Sequence, residues 1–283
     1  MSELMSLGEN FYVFKSSYWE LNSGIMHNEE ECVLIDPGYS PDELGEIDDF
    51  LKEQGGPPGQ SYLIYTHSDF DHIVGGQQFP LAKEIAQENF LRCFQGEQFQ
   101  YLEEADKERG ITRLDFRFPV PEVTFKDSLE ISLKNETLAL FAAPGHTRDS
   151  LFVVLKNRGV LLSGDTLSDQ EFPFIHYNAQ HYKETLQLAG SLLEQYDINF
   201  LVPGHGNWTG KKEEMKKRVE QDIDYLDNLM VNIREYYCQG LATAEIHSVL
   251  REVRYKGDYI GEVLMPEHTK NIEKVIQEIG DNL

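Results

Sequence analysis

Four side chains able to bind a metal lie within six residues, His67, Asp69, Asp71 and His72, in the segment YLIYTHSDFDHIVGG. Two carboxylates this close repel one another unless a cation neutralises them. Imidazole and carboxylate together suit a borderline transition metal such as zinc. Three further segments each deliver one candidate in the same way, through an apolar run, a small-residue turn and then the side chain. LALFAAPGHT gives His146, VLLSGDT gives Asp165 and NFLVPGHGN gives His205. Glycine beside each lets backbone come close to an ion or a substrate. A lone PGH or GDT turn means little, and the aspartates of HSDFDH could serve only as the acidic first turn of a helix. The information lies in the four segments together, each placed where an apolar strand ends and loops carry chemistry.

The elements that would position these residues are readable in outline. β-Prone apolar runs occur at residues 31–35, 62–65, 138–143, 151–155 and 160–162, with another at 200–202. Between the first two, Ser40, Pro41 and Glu43 form a helix-start signal, Leu44, Ile47 and Leu51 share one face, and Gly55 ends the helix. Residues 179–196 read as a helix. The longest helix carries a stripe of Met215, Val219, Ile223, Leu226, Met230, Ile233 and Tyr237, closed by Gly240. Such a stripe packs on a core, or else serves as a dimerisation or lid surface. Residues 268–280 give a last helix with Ile272, Val275, Ile276 and Ile279 inward. Residues 10–165 thus have the texture of short strands and residues 210–283 that of helices, a mixed α/β class.

Composition narrows the function classes. The chain has 283 residues, with 25 basic against 49 acidic, a net charge of −24. A polyanion such as nucleic acid would be repelled by the average surface. No apolar run approaches the roughly 20 residues that span a bilayer. The first twenty residues lack a basic stretch followed by an apolar one, so a cytoplasmic protein is expected. The three cysteines, Cys32, Cys93 and Cys238, are far apart and suggest neither a thiolate metal site nor a disulfide framework, with Cys32 expected to be buried.

The series THSDFDH, PGHT, SGDT and PGHG, preceded by LIDPG at residues 34–38, resembles the metallo-β-lactamase superfamily over about residues 10–210. The resemblance implies an α/β (α+β) fold, an αββα sandwich with the metals at one edge. It makes residues 1–210 the metal-binding domain and 211–283 a C-terminal helical extension packed on it. The family pattern is HxHxDH, then His, Asp and His. Carried over, His67, residue 69 and His146 bind one ion, Asp71, His72 and His205 bind the second, and Asp165 bridges them. The chain departs from the pattern at residue 69, where aspartate replaces histidine. That makes the first site harder and more negative, so manganese or iron stands beside zinc as a candidate.

The reaction implied is hydrolysis of a small ester, thioester or lactone by a hydroxide shared between two divalent ions, with Asp71 orienting it. The alternatives are a phosphodiesterase or nuclease, prompted by the HxDxDH variant, and a non-haem iron oxidoreductase. A binding module without catalysis would be marked by lost ligands, and here all seven positions hold competent ones. Thr66, Ser68, Thr147 and Thr166 either support ligands or cap turns. The segment EFPFIHY at residues 171–177 either lines the pocket, with Phe172 and Phe174 as aromatic wall and His176 and Tyr177 as substrate contacts, or packs down as a loop; Trp208 presents the same choice. His27, His181, His247 and His268 match no motif and are expected on the surface or in packing. The partners expected are a small-molecule substrate and a possible second copy of the chain.

Overall fold

Two sheets pack face to face, and helices cover their outer faces. The computed structural model describes residues 1–56, 59–93, 97–113 and 116–281. The first sheet runs in sequence order through β1 (Glu3–Ser6), β2 (Phe11–Lys15), β3 (Asn22–His27), β4 (Glu31–Ile35), β5 (Gln60–Ile64), β6 (Lys83–Gln87) and β7 (Val123–Phe125). Its pairs are antiparallel as far as β4 and parallel from there on. The second sheet holds β8 (Ser128–Ser132), β9 (Thr137–Ala142), β10 (Leu151–Leu155), β11 (Val160–Leu162) and β12 (Phe200–Val202), antiparallel except for β11 beside β12.

Alternation along the strands decides what each face buries. In β9 and β10, Leu138, Leu140, Leu151, Val153 and Leu155 face the first sheet, where they meet Phe11, Val13, Met26, Val33, Ile35 and Ile64. Their neighbours Ala139, Phe152 and Val154 face outward into a second core shared with helices. On the far side, Phe14, Ile25, Leu34 and Leu63 receive Ile47 and Leu51 of α1 (Pro41–Glu53), which begins with the expected Ser40–Glu43 capping box. The layers are therefore α, β, β, α, and this sandwich is the expected fold.

The remaining helices are α2 (Phe70–Ile73), α3 (Phe90–Cys93), α4 (Glu97–Arg109), α5 (Ala179–Gln195), α6 (Lys212–Cys238), α7 (Thr243–Leu250) and α8 (Met265–Asp281). A hairpin, β13 (Arg254–Tyr255) and β14 (Asp258–Tyr259), separates the last two. On α6, Met215, Val219, Leu226 and Ile233 are buried in the same core as Tyr182, Leu186 and Ala189 of α5 and Ile272 and Val275 of α8, with Ile223 and Met230 packed against them. The stripe thus covers the second sheet's outer layer. Two elements break the expected texture. Helix α4 lies within the half that reads as strands, because its exposed face is largely charged and its buried apolar residues, Leu102 and Ala105, are few, with Asp106 buried beside them. The β13–β14 hairpin lies within the helical half. Among the described residues no helix is long and apolar enough to cross a membrane.

Candidate metal centre

Strands β4 and β5 run parallel, as do β11 and β12, and β9 shares the direction of β11 through β10. Their C-terminal ends therefore open on one edge of the sandwich. Hydrogen bonds stitch the two sheets there, from Leu151 N to Thr66 O at 2.8 Å and from Asn22 N to Gly204 O at 2.7 Å. The turns that follow these strands carry His67, His146, Asp165 and His205, while the short helix α2 adds Asp71 and His72 and its N-cap is Asp69.

The structure brings all seven sequence-derived candidates together in two groups. In the first, Asp69 Oδ2 lies 3.5 Å from His67 Nε2 and 3.3 Å from His146 Nε2. Asp165 Oδ2 closes this group at 3.6 Å from His67 Nε2 and 3.5 Å from His146 Nε2. In the second, His205 Nε2 lies 3.2 Å from Asp71 Oδ2 and 3.3 Å from His72 Nε2. Asp165 Oδ1 faces this group, 3.0 Å from His72 Nε2 and 3.5 Å from His205 Nε2.

Every one of the four rings is held by its other nitrogen. His72 Nδ1 donates to Asp36 Oδ2 at 2.9 Å, His146 Nδ1 to Phe174 O at 2.9 Å and His205 Nδ1 to Trp19 O at 2.9 Å. His67 Nδ1 donates to Thr66 Oγ1 at 3.1 Å, and that hydroxyl donates in turn to Asp36 Oδ2 at 2.6 Å. With the Nδ1 proton so fixed, each ring in its neutral form presents a bare Nε2 lone pair to the cluster. The Nε2 atoms of His72 and His205 face each other at 3.3 Å. Among the described residues, His67 Nε2 and Asp165 Oδ1 are buried with no hydrogen-bond partner. Convergent lone pairs and orphaned buried acceptors are the arrangement that a cation satisfies, so the residues present fit a metal pair.

Electrostatics point the same way. Burial opposes charge on His67, yet the Asp165 and Asp69 carboxylates outweigh it and push its pKa up to about 10. Burial likewise opposes charge on His72 and His205, and Asp165 with Asp71 raises both well above the ordinary value. Burial works against ionised Asp69 and Asp165, but the histidines around them hold both well below the usual carboxylate range. A field that draws protons onto buried imidazoles draws a dication into the same space.

Close approach of backbone makes room for this cluster. A β-carbon on Gly204 would sit 2.3 Å from Asp165 Oδ1 and 2.9 Å from His72 Cε1. One on Gly75, just past the HSDFDH segment, would sit 1.5 Å from Pro37 O, so the Asp36 turn and the α2 region pack backbone to backbone.

The other candidates separate. His176 is exposed and lies beside the His146 ring, with centroids 4.7 Å apart, and its Nε2 meets Glu267 Oε2 of α8 at 3.2 Å. Tyr177 stacks on His181 and lies under Arg148. Phe172 is not a pocket wall: it is buried against Tyr225, Tyr255 and His268, because the C-terminal helices cover it. Phe174 contributes its carbonyl to His146 while its ring packs on Phe172. Trp208 turns away to Phe200 and Met5. Thr66 supports a ligand, whereas Thr147 bonds Ser150 within its own turn. His27 and His268 are buried, bonded to Gly56 O and to Tyr225 with Leu250 O respectively, which is packing. Cys32 is buried as expected.

Several contributors were not singled out from sequence. Asp36 anchors both His67 and His72, and its only trace is the LIDPG turn. Trp19 supplies a carbonyl from a turn in which Trp19 and Glu20 are both left-handed. Glu171 is pushed up by burial and feels the charges of His205 and Asp165.

Comparison with known proteins agrees with this architecture. The sequence model described as the metallo-beta-lactamase superfamily matches residues 20–226. The chain is similar to the human acyl-coenzyme A thioesterase MBLAC2, 25% identical over 228 residues that cover 72% of this chain and 81% of that one. Among solved structures it resembles the stereoselective inverting sec-alkylsulfatase Pisa1 from Pseudomonas sp., with a TM-score of 0.75 at 16% identity. That likeness covers 98% of this chain, which spans 50% of the sulfatase's length. A metallo-beta-lactamase from Pontibacter korlensis superposes with a TM-score of 0.57 at 19% identity, over 81% of this chain and 100% of the other.

Proposed function

This chain belongs to the metallo-beta-lactamase superfamily, and from that premise we propose that it is a two-metal hydrolase of a small ester, thioester or lactone. One ion would be held by His67, Asp69 and His146, the other by Asp71, His72 and His205, with Asp165 between them. The observation that carries the reading is the split of Asp165, whose Oδ2 faces one group and whose Oδ1 faces the other. Zinc is the first choice for both positions, and the two-carboxylate donor set around Asp69 keeps manganese and iron in view. Bound there, the ions would supply Lewis acidity and lower the pKa of a water to about 7.

The chain's own residues supply position and proton handling. Asp71, whose Oδ2 lies 3.2 Å from His205 Nε2, would also orient the attacking water. His176, whose Nε2 is tied to Glu267 and whose ring lies beside His146, would turn its other ring nitrogen to the substrate, with Tyr177 beside it. Residues 1–210 form the metal-binding unit in this reading, and 211–283 an extension that reaches the rim through Glu267. Among the three substrate classes, the likeness to an acyl-coenzyme A thioesterase favours thioesters.

The test is metal content by elemental analysis of protein purified without added metal, followed by hydrolysis of acyl-coenzyme A, nitrophenyl ester, lactone and phosphodiester probes. About two ions per chain, with ester or thioester cleavage lost on chelation and in Asp165→Ala, supports the reading. Predominant iron without hydrolysis, or phosphodiester cleavage alone, overturns it.

A further inference from the structure

Asp69 occupies a helix N-cap and does not cap. Its backbone is extended at φ −67° and ψ 144°, the conformation of a capping residue, but its carboxylate makes no bond to the first turn of α2. An N-cap aspartate ordinarily turns back to accept an N–H of that turn. Here a residue from another helix takes over the task. Gln98, half-buried in the first turn of α4, accepts the Phe70 N–H through Oε1 at 3.0 Å. Its Nε2 donates to Asp69 Oδ1 at 2.9 Å. The two partners, one a donor and one an acceptor, fix which end of the amide is which.

The consequence is directional. With Oδ1 held by Gln98, the carboxylate points Oδ2 at His67 Nε2 and His146 Nε2. An aspartate is short and rotates freely about its terminal bond, and the capping bond competes for it. The histidine found here in the resembling pattern would be steered through its second ring nitrogen, as the four histidines of this site are. Asp69 has no such handle of its own.

We propose that Gln98 is a positioning residue for Asp69, keeping that carboxylate from capping α2 and directing Oδ2 to the first ion. The proposal rests on the two-metal reading. It predicts a pairing between the aspartate at 69 and an amide donor at 98, in which one loses its purpose without the other.

The test is competitive zinc titration against a chromophoric chelator for the parent, Gln98→Ala, Gln98→Glu, Asp69→His and the double variant Asp69→His with Gln98→Ala. Asp69→Ala identifies the ion that does not depend on residue 69. Glutamate at 98 still accepts the Phe70 N–H and places an anion against Asp69 Oδ1, so it separates the ligand's support from the helix's support. Both single changes at 98 are expected to weaken the Asp69-dependent ion by about 10–100-fold, as loss of a ligand's hydrogen-bond partner does, and to move the other ion by less than about threefold. In the Asp69→His background, Gln98→Ala is expected to change neither. Melting in chelator shows whether the variants remain folded. Parent-like affinity in both Gln98 variants overturns the proposal and leaves the two-metal reading standing. So does an equal loss in the Asp69→His background, which marks a role in general packing. A parent that binds no zinc, manganese or iron overturns the two-metal reading and this proposal with it.

Discussion

Replacing Asp36 by asparagine should weaken metal binding while sparing the metal-free fold. Asp36 accepts from Thr66 N at 2.8 Å, from Thr66 Oγ1 at 2.6 Å and from His72 Nδ1 at 2.9 Å, all buried. Asparagine retains one oxygen and puts an NH2 where the other stood. With the oxygen kept on Thr66 N, the NH2 faces the His72 Nδ1–H donor. The metal-free protein escapes this clash by keeping a proton on Nε2 and giving up the one on Nδ1, so that Nδ1 accepts from the amide; the Thr66 hydroxyl rotates to suit. That proton then occupies the lone pair aimed at Asp165 and His205. An ion can bind only after the ring returns to the tautomer with donor against donor, a buried mismatch of about 1–3 kcal/mol. At 1.4 kcal/mol per factor of ten, the affinity of the His72 ion falls by roughly tenfold to hundredfold. Competitive zinc titration reads the affinity, and thermal melting in chelator reads the fold. The reasoning is refuted if the asparagine variant binds both ions as the parent does. It is refuted equally if the whole loss appears as metal-free stability.

Gly204→Ala should fold but bind metal poorly, because its methyl meets Asp165 Oδ1 at 2.3 Å and the backbone carbon of Gly164 at 3.0 Å; metal content beside circular dichroism checks this, and a variant that holds both ions sinks it. Asp222 is buried on α6 with Tyr255 OH at 2.5 Å, and burial raises its pKa to about 7. A raised carboxylate binds its proton more tightly in the folded chain, so stability is fullest near pH 4 and falls as pH climbs to about 7. The shift from 3.8 corresponds to a span on the order of 4 kcal/mol. In chelator, Asp222→Asn should flatten that slope relative to the parent, and denaturant melts across the window would contradict this if the two proteins stayed parallel. Glu267→Ala should raise KM more than it lowers kcat for whichever ester or thioester is cleaved, since it frees His176 at the rim without touching a proposed ligand; an unchanged KM removes the rim from recognition.

How much of this was legible in the sequence depends on what each residue contributes. His67, Asp69, Asp71, His72, His146, Asp165 and His205 stand out because a ligand needs a particular side chain, and each lies just beyond an apolar run whose strand nature can be read locally. The capped helix α1 and the stripe of α6 are visible for the same reason, since their signals lie within a few turns of chain. The direction of a side chain is not local. Phe172 and Trp208 sit close to motifs in sequence, yet the outer helices and the first strands draw their rings into packing instead. Helix α4 is masked by its charged surface, and with it Gln98, which matters only because folding sets it against Asp69, 29 residues away.

The supports of the histidines show where legibility ends in principle. His146 and His205 are aimed by the carbonyls of Phe174 and Trp19, groups that every residue carries. No substitution at those positions need alter the acceptor, and so no residue type there announces it. What the chain specifies instead is a backbone path: a left-handed turn at Trp19 and Glu20, and a segment after Phe172 pinned by Asn271 Nδ2 on Pro173 O. Asn271 belongs to α8, so the aim of a proposed ligand at residue 146 depends on a helix that begins more than a hundred residues later. In that sense α8 supports the proposed centre, and a truncation that removes it is expected to weaken the ion proposed for His146 before the other, which zinc titration of the truncated chain would read.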